Sequence, residues 1–214
     1  MTEEDWLACT DPEVMLLVAA RDSERKQRLC ATGLARLVLG HFLRGTTAAI
    51  QRLSAWLTSR RWLAQLDAAE EFADGSIDQK ALIAARSESG GPYNFFLQVC
   101  RTTPSNLVFL ANTLKALQEE FGVPSPAEVC YLFREVIDPF PPPPLPATVL
   151  AWNDSLIPKL ALAIYAERAF ERLPILGDAL EEAGCTRQAI LAHCRAPGPH
   201  VRGCRVVDLV LGKS

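Results

Sequence analysis

Ala163-Ile164-Tyr165-Ala166-Glu167-Arg168-Ala169-Phe170, Leu173-Pro174-Ile175-Leu176, Ile190-Leu191-Ala192-His193-Cys194-Arg195 and Pro197-Gly198-Pro199-His200-Val201-Arg202-Gly203-Cys204 stand in the last third of this chain. Apolar residues recur there at three- and four-residue intervals, and Pro174 and Gly184 stand where a helix starts and stops. The spacing predicts a helix after Trp152-Asn153-Asp154 that carries Leu156, Leu160, Ile164 and Tyr165. A second begins at Pro174, with Leu176, Ala179 and Leu180 inward. A third is capped by Thr186 and buries Ile190, Leu191 and Cys194. Arg205-Val206-Val207-Asp208-Leu209-Val210-Leu211 is apolar almost all round; with no strand-like segment to pair with, it reads as a buried helix.

Upstream the same signals recur. Thr10-Asp11-Pro12-Glu13 opens a helix with Thr10 as cap, followed by Val14, Leu16, Leu17 and Val18. Ser23-Glu24-Arg25-Lys26 opens another, whose stripe is Leu29, Gly33, Leu34, Leu37, Val38 and Phe42. A third amphipathic segment has Ile50, Leu53, Trp56, Leu57, Leu63 and Leu66 inward and stops at Asp74-Gly75. Ser76-Ile77-Asp78-Gln79 starts a short helix, and Ser87 to Pro92 is loop. Tyr93 to Cys100 and the run from Thr103-Pro104 through Leu117 read as helices. Ser125-Pro126-Ala127-Glu128 is the best capping box of the chain and leads into Val129, Leu132, Phe133 and Val136. The expectation is an all-α fold, an irregular bundle of about eight to ten short helices.

Asp138-Pro139-Phe140-Pro141-Pro142-Pro143-Pro144-Leu145-Pro146 excludes helix and favours a stiff polyproline II rod. Two P-x-x-P spacings would suit an aromatic groove, but without a flanking basic residue a rigid spacer is the preferred reading. The expected organisation is therefore an N-terminal helical region over 1–137, a Pro-rich linker over 138–146 and a C-terminal helical unit over 147–214.

Composition narrows the class. Apolar residues make up 49% of 214 positions, and the acidic start Met1-Thr2-Glu3-Glu4-Asp5-Trp6 is unlike a secretory signal. No apolar run is long enough to span a bilayer. The seven cysteines are scattered, which reads as reduced, mostly buried thiols and a cytoplasmic address. A net charge of −3 points to no partner class. The basic tail from Gly184 onward faces Asp178, Glu181 and Glu182, which suggests local neutralisation rather than a nucleic-acid patch. Neither membrane nor nucleic acid is an expected partner.

Cys185, His193, Cys194, His200 and Cys204 lie within twenty residues, enough donors for a tetrahedral zinc site. His200 and Cys204, four apart, would chelate one ion on a helical turn, with Cys185 and either Cys194 or His193 completing it. The usual pair of closely spaced cysteines is missing. His193 and Cys194, about 100° apart round a helix, do not readily share an ion. The competing reading is a loop in which His200 and Arg202 bond helix-end carbonyls, and a nucleophile pair would need Cys194 or Cys204 beside His200. Glu167 and Arg168 read as a surface ion pair or helix-end contacts; with Arg195 and Arg202 they are the candidate interaction surface. No phosphate loop or catalytic signature occurs anywhere.

The chain resembles a family of short bacterial proteins abundant in planctomycetes, which has no assigned activity. Trp6-Leu7, Cys9-Thr10-Asp11-Pro12 and Met15-Leu16 carry the likeness at one end. At the other it is carried by Trp152-Asn153-Asp154, Ala163-Ile164-Tyr165, Glu167-Arg168, Phe170, His193-Cys194-Arg195, His200-Val201-Arg202-Gly203-Cys204 and Val206-Val207-Asp208. Arg205 departs from the family's usual Trp, and Thr32-Gly33 from a common Cys pair. The resemblance implies no function. The leading functional expectation is a protein–protein interaction or scaffolding module, with no cofactor and an unidentified protein as partner. The alternative is a small zinc-stabilised regulatory domain, and a Cys-His enzyme comes third.

Overall fold

The computed structural model describes residues 1–44, 60–86, 115, 118–119 and 124–213. The expected features over 45–59 and 87–123, including the helices from Tyr93 and from Thr103, lie largely outside these residues. Helix is the regular structure of the described residues, with no strand among them. The chain divides into two compact units, Met1–Pro139 and Phe140–Ser214.

The first unit holds α1 (Glu3–Ala8), α2 (Pro12–Ala19), α3 (Glu24–Arg44), α4 (Arg60–Ala73), α5 (Gln79–Arg86) and α6 (Pro126–Val136). Helix α1 starts with a full capping box, Thr2 with Asp5, a Thr-x-x-Asp signal that sequence reading missed. Its last carbonyls are held by Arg134 of α6, which donates to Trp6 O and Cys9 O. Helix α2 is capped by Asp11, not Thr10, because Pro12 is its first residue and the cap is the residue before it. Its buried face is Met15, Leu16 and Ala19, which leaves Val14 and Leu17 outward.

Helix α3 departs most from expectation. In place of one stripe, every residue from Lys26 to Ala35 is buried, and Leu37 is only half-buried. The helix is packed by α4 and α6, so its polar positions must be satisfied inside the unit. Gln27 donates to the carbonyls of Ala20 and Asp22, and Thr32 donates to Leu29 O. Arg25 pairs with Asp74 at 3.0 Å, Arg36 with Glu70 at 2.7 Å and with Asp67, and the Arg28 guanidinium lies 4.8 Å over the Phe72 ring. Helix α4 ends at Ala73, where Ser76 N–H reaches back to Glu71 O, and Asp78 caps α5 through Ala81 N–H.

Helix α6 follows the sequence closely. Ser125 and Glu128 close the capping box, and Val129, Leu132, Phe133 and Val136 are all buried. Glu128 also meets His41 Nε2 of α3 at 2.9 Å. Burial pulls the Glu128 carboxyl upward, but the Ser125 amide and hydroxyl and His41 together outweigh it, so its pKa is lowered.

The second unit holds α7 (Ala147–Leu150), α8 (Trp152–Glu167), a 3-10 turn (Phe170–Arg172), α9 (Leu173–Glu182), α10 (Gln188–Arg195) and α11 (Arg205–Leu211). The proline rod belongs to this unit. Leu145 is buried in its core, and Arg187 donates to Pro143 O and, at 3.0 Å, to Pro144 O. Trp152-Asn153-Asp154 does not cap α8 as expected. Asn153, Asp154 and Ser155 take left-handed angles, a conformation costing roughly 1–2 kcal/mol per residue, and Lys159 donates to Asp154 O at 2.7 Å. The right-handed helix then begins after Ser155, which puts Pro158 in its first turn, where no backbone donor is needed. This shifts the inward face to Ile157, Ala161, Ile164 and Tyr165 and turns Leu156 outward. Arg187, not Thr186, is the residue before α10. Ile190, Leu191, Cys194, Val206, Val207 and Val210 join Leu173, Leu176 and Leu180 in one core, as the periodicity implied.

Because the folded pKa of Glu128 is lowered, its contribution is complete above the unfolded value of about 4.3 and is lost as pH falls through the folded value. Glu128→Gln is expected to lower the denaturant midpoint at neutral pH, and the gap to wild type should close below pH ~4. Chemical denaturation at both pH values checks it; an equal gap at each would remove the charge from the explanation.

Candidate metal centre

Helix α10 presents two adjacent side chains in different directions. Cys194 is fully buried against α9, where a Cβ placed on Gly177 would lie only 2.9 Å from Cys194 Cβ. His193, one position back, is turned about 100° away. Its Nε2 lies 3.2 Å from Cys204 Sγ. The chain reaches Cys204 through the segment after α10. Val201-Arg202-Gly203-Cys204 makes a β-turn closed by Cys204 N–H on Val201 O, and Gly203 takes the positive φ of +90° that such a turn needs. His200 and Cys204 are thus brought together by a tight turn, not by the helical turn that their spacing suggested.

His193, His200 and Cys204 place their donor atoms within 4.8 Å of one another. The two imidazole centres are 5.1 Å apart at 62°. Two imidazoles on one tetrahedral zinc, each nitrogen about 2.0 Å from the ion, would have centres roughly 5 Å apart. An imidazole nitrogen and a thiolate on that ion would be separated by about 3.5 Å. The observed 5.1 and 3.2 Å therefore approach the spacing of a shared ion before any ion is added.

Among the described residues Cys185 and Cys194 do not join this group. Both are buried in the aliphatic core, with Cys185 N–H bonded to Leu180 O at the end of α9. Of the five donors read from the sequence, the fold thus gathers three. Cys204 itself is fully buried. Its thiol contacts the imidazole of His193 at Nε2, and the burial limits the solvent access that a nucleophilic thiol uses. Among the described residues no cysteine is in a disulfide, and all but Cys9 are buried.

The loop expectation also holds in part: His200 Nε2 bonds Ala196 O, the carbonyl just after α10, at 3.0 Å. Arg202 instead lies 5.1 Å over the Tyr165 ring, which Lys213 also approaches, at 4.7 Å. The candidate surface residues have separate roles. Glu167 pairs with Arg172 at 2.8 Å, not with Arg168, because Arg168 takes the left-handed position that ends α8. Arg195 pairs with Asp178 at 3.0 Å and with Glu181, the local neutralisation that the charge pattern implied.

No protein family matches the chain, and no curated protein or solved structure matches it. No helix among the described residues is long and apolar enough to cross a membrane.

The packing that aims His193 can be probed at Gly177. Gly177→Ala would drive a methyl into Cys194 Cβ, and overpacking of this kind costs about 1–3 kcal/mol. Thermal denaturation should show the loss, and the double variant Gly177→Ala/Cys194→Gly should recover part of it. No recovery would mean that the contact is not limiting.

Proposed function

We propose that the C-terminal unit is a metal-stabilised helical module that binds zinc through His193, His200 and Cys204. The observation that carries this reading is the convergence of two imidazoles and one thiol within 4.8 Å. One thiolate and two imidazoles make a donor set suited to zinc, whereas calcium and magnesium take oxygen ligands. Three protein donors leave one position of a tetrahedral ion open to a water or another ligand. Size supports the reading too. Below about 70–80 residues a core alone supplies roughly 3–5 kcal/mol, and small domains use metals as staples. Phe140–Ser214 falls in that range, and the left-handed turn at Asn153–Ser155 adds strain to be offset.

The role of such a module is to present a fixed surface to another protein. Leu162 and Ile175, on α8 and α9, are 57% and 56% exposed, aliphatic area that the unit's own core does not use. A reducing compartment keeps such a thiol available to a metal, and a cytoplasmic address would supply one.

Elemental analysis of protein purified without chelator or metal affinity tests the reading. About one zinc per chain is expected in wild type and in Cys185→Ser, and loss of it in Cys204→Ser and His193→Ala. Chelation should lower the thermal midpoint of wild type but leave that of Cys204→Ser unchanged. Metal-free wild type whose midpoint ignores added zinc would defeat the proposal.

A further inference from the structure

We infer that the loop from Ala196 to His200 fixes which nitrogen of His200 meets the metal, and that Gly198 is the positioning residue that makes this possible. The inference rests on the zinc reading and adds the coordination mode. A carbonyl only accepts, so the 3.0 Å contact between His200 Nε2 and Ala196 O places the proton on Nε2. A neutral imidazole carries one N–H, so the lone pair is on Nδ1, and a metal takes the lone pair. An imidazole whose second nitrogen is tied to a backbone carbonyl is the usual outer-sphere arrangement of a metal-bound histidine. His193 offers the opposite atom, since its Nε2 is the one beside Cys204 Sγ. The site is therefore mixed, with Nε2 from His193, Nδ1 from His200 and Sγ from Cys204.

Gly198 supplies the fold-back. Its φ is +87°, and a Cβ built on it would fall 2.9 Å from His200 N and 3.2 Å from His200 Cδ2. Cδ2 is bonded to Nε2, so a methyl at 198 presses on the ring edge that donates to Ala196. The nearer atom is backbone and cannot swing aside. Any side chain at 198 thus both strains the turn and rotates the imidazole away from its carbonyl.

Heteronuclear NMR of the imidazole nitrogens in the wild-type chain tests this without any substitution. The metal-free protein should show His200 as the Nε2–H tautomer. Cadmium in place of zinc should give metal–nitrogen coupling at Nδ1 of His200 and at Nε2 of His193. An Nδ1–H tautomer for His200, or coupling through its Nε2, overturns the inference while leaving the zinc site intact. No coupling at either histidine overturns the zinc reading itself. Gly198→Ala should weaken zinc binding by about ten- to a hundredfold and populate the other tautomer, whereas unchanged affinity and tautomer would remove Gly198 from the argument.

Discussion

The close packing of α10 on α9 is the constraint from which the candidate centre follows. Gly177 leaves just enough room for Cys194, so α10 is held at short range and in one rotational setting. Once Cys194 is committed to the core, helical geometry turns His193 away from it and toward Cys204. A larger residue at 177 would lift α10, and the imidazole would lose its aim. The chemistry on the outer side of α10 thus depends on a packing detail on the inner side, because an interior close to crystal density transmits small displacements.

Around that contact the unit divides its cysteines by environment. Cys185 and Cys194 serve as small apolar side chains among Leu176, Leu180, Ile190 and Leu191. Cys204 is equally buried but faces an imidazole, His193 Nε2 lying 3.2 Å from its sulfur. The loop before it ties His200 to the end of α10 through Ala196 O, so both histidines are referred to the same helix. Under the proposed zinc reading, donors held in this way would lose little freedom on binding an ion, which would favour tight coordination.

The N-terminal unit shows a different economy. Helix α3 is enclosed along the stretch from Lys26 to Ala35, yet its sequence is rich in cations. The fold accommodates them by setting Asp74, Asp67 and Glu70 of the neighbouring segment against Arg25 and Arg36 and by laying Arg28 over Phe72. Buried cations left without such partners would cost several kcal/mol each, so these pairings are a condition of burying the helix rather than an ornament on it.

Local rules in the sequence were enough for the helical class, for the Ser125–Glu128 capping box with its four buried followers, and for α9, α10 and α11 as inward-packed helices. Those features depend on residues three or four apart, and short-range spacing is what a sequence displays. Leu156 misled because the left-handed turn at Asn153–Ser155 reset the phase of α8, and no local pattern announces such a turn. The five Cys and His residues near the C-terminus were visible as a group, but their division into three that converge and two that do not was invisible. That division is set by which face α10 turns to α9 and by how the segment from Ala196 to Cys204 folds back. Both are contacts between elements, and only the packed structure decides them.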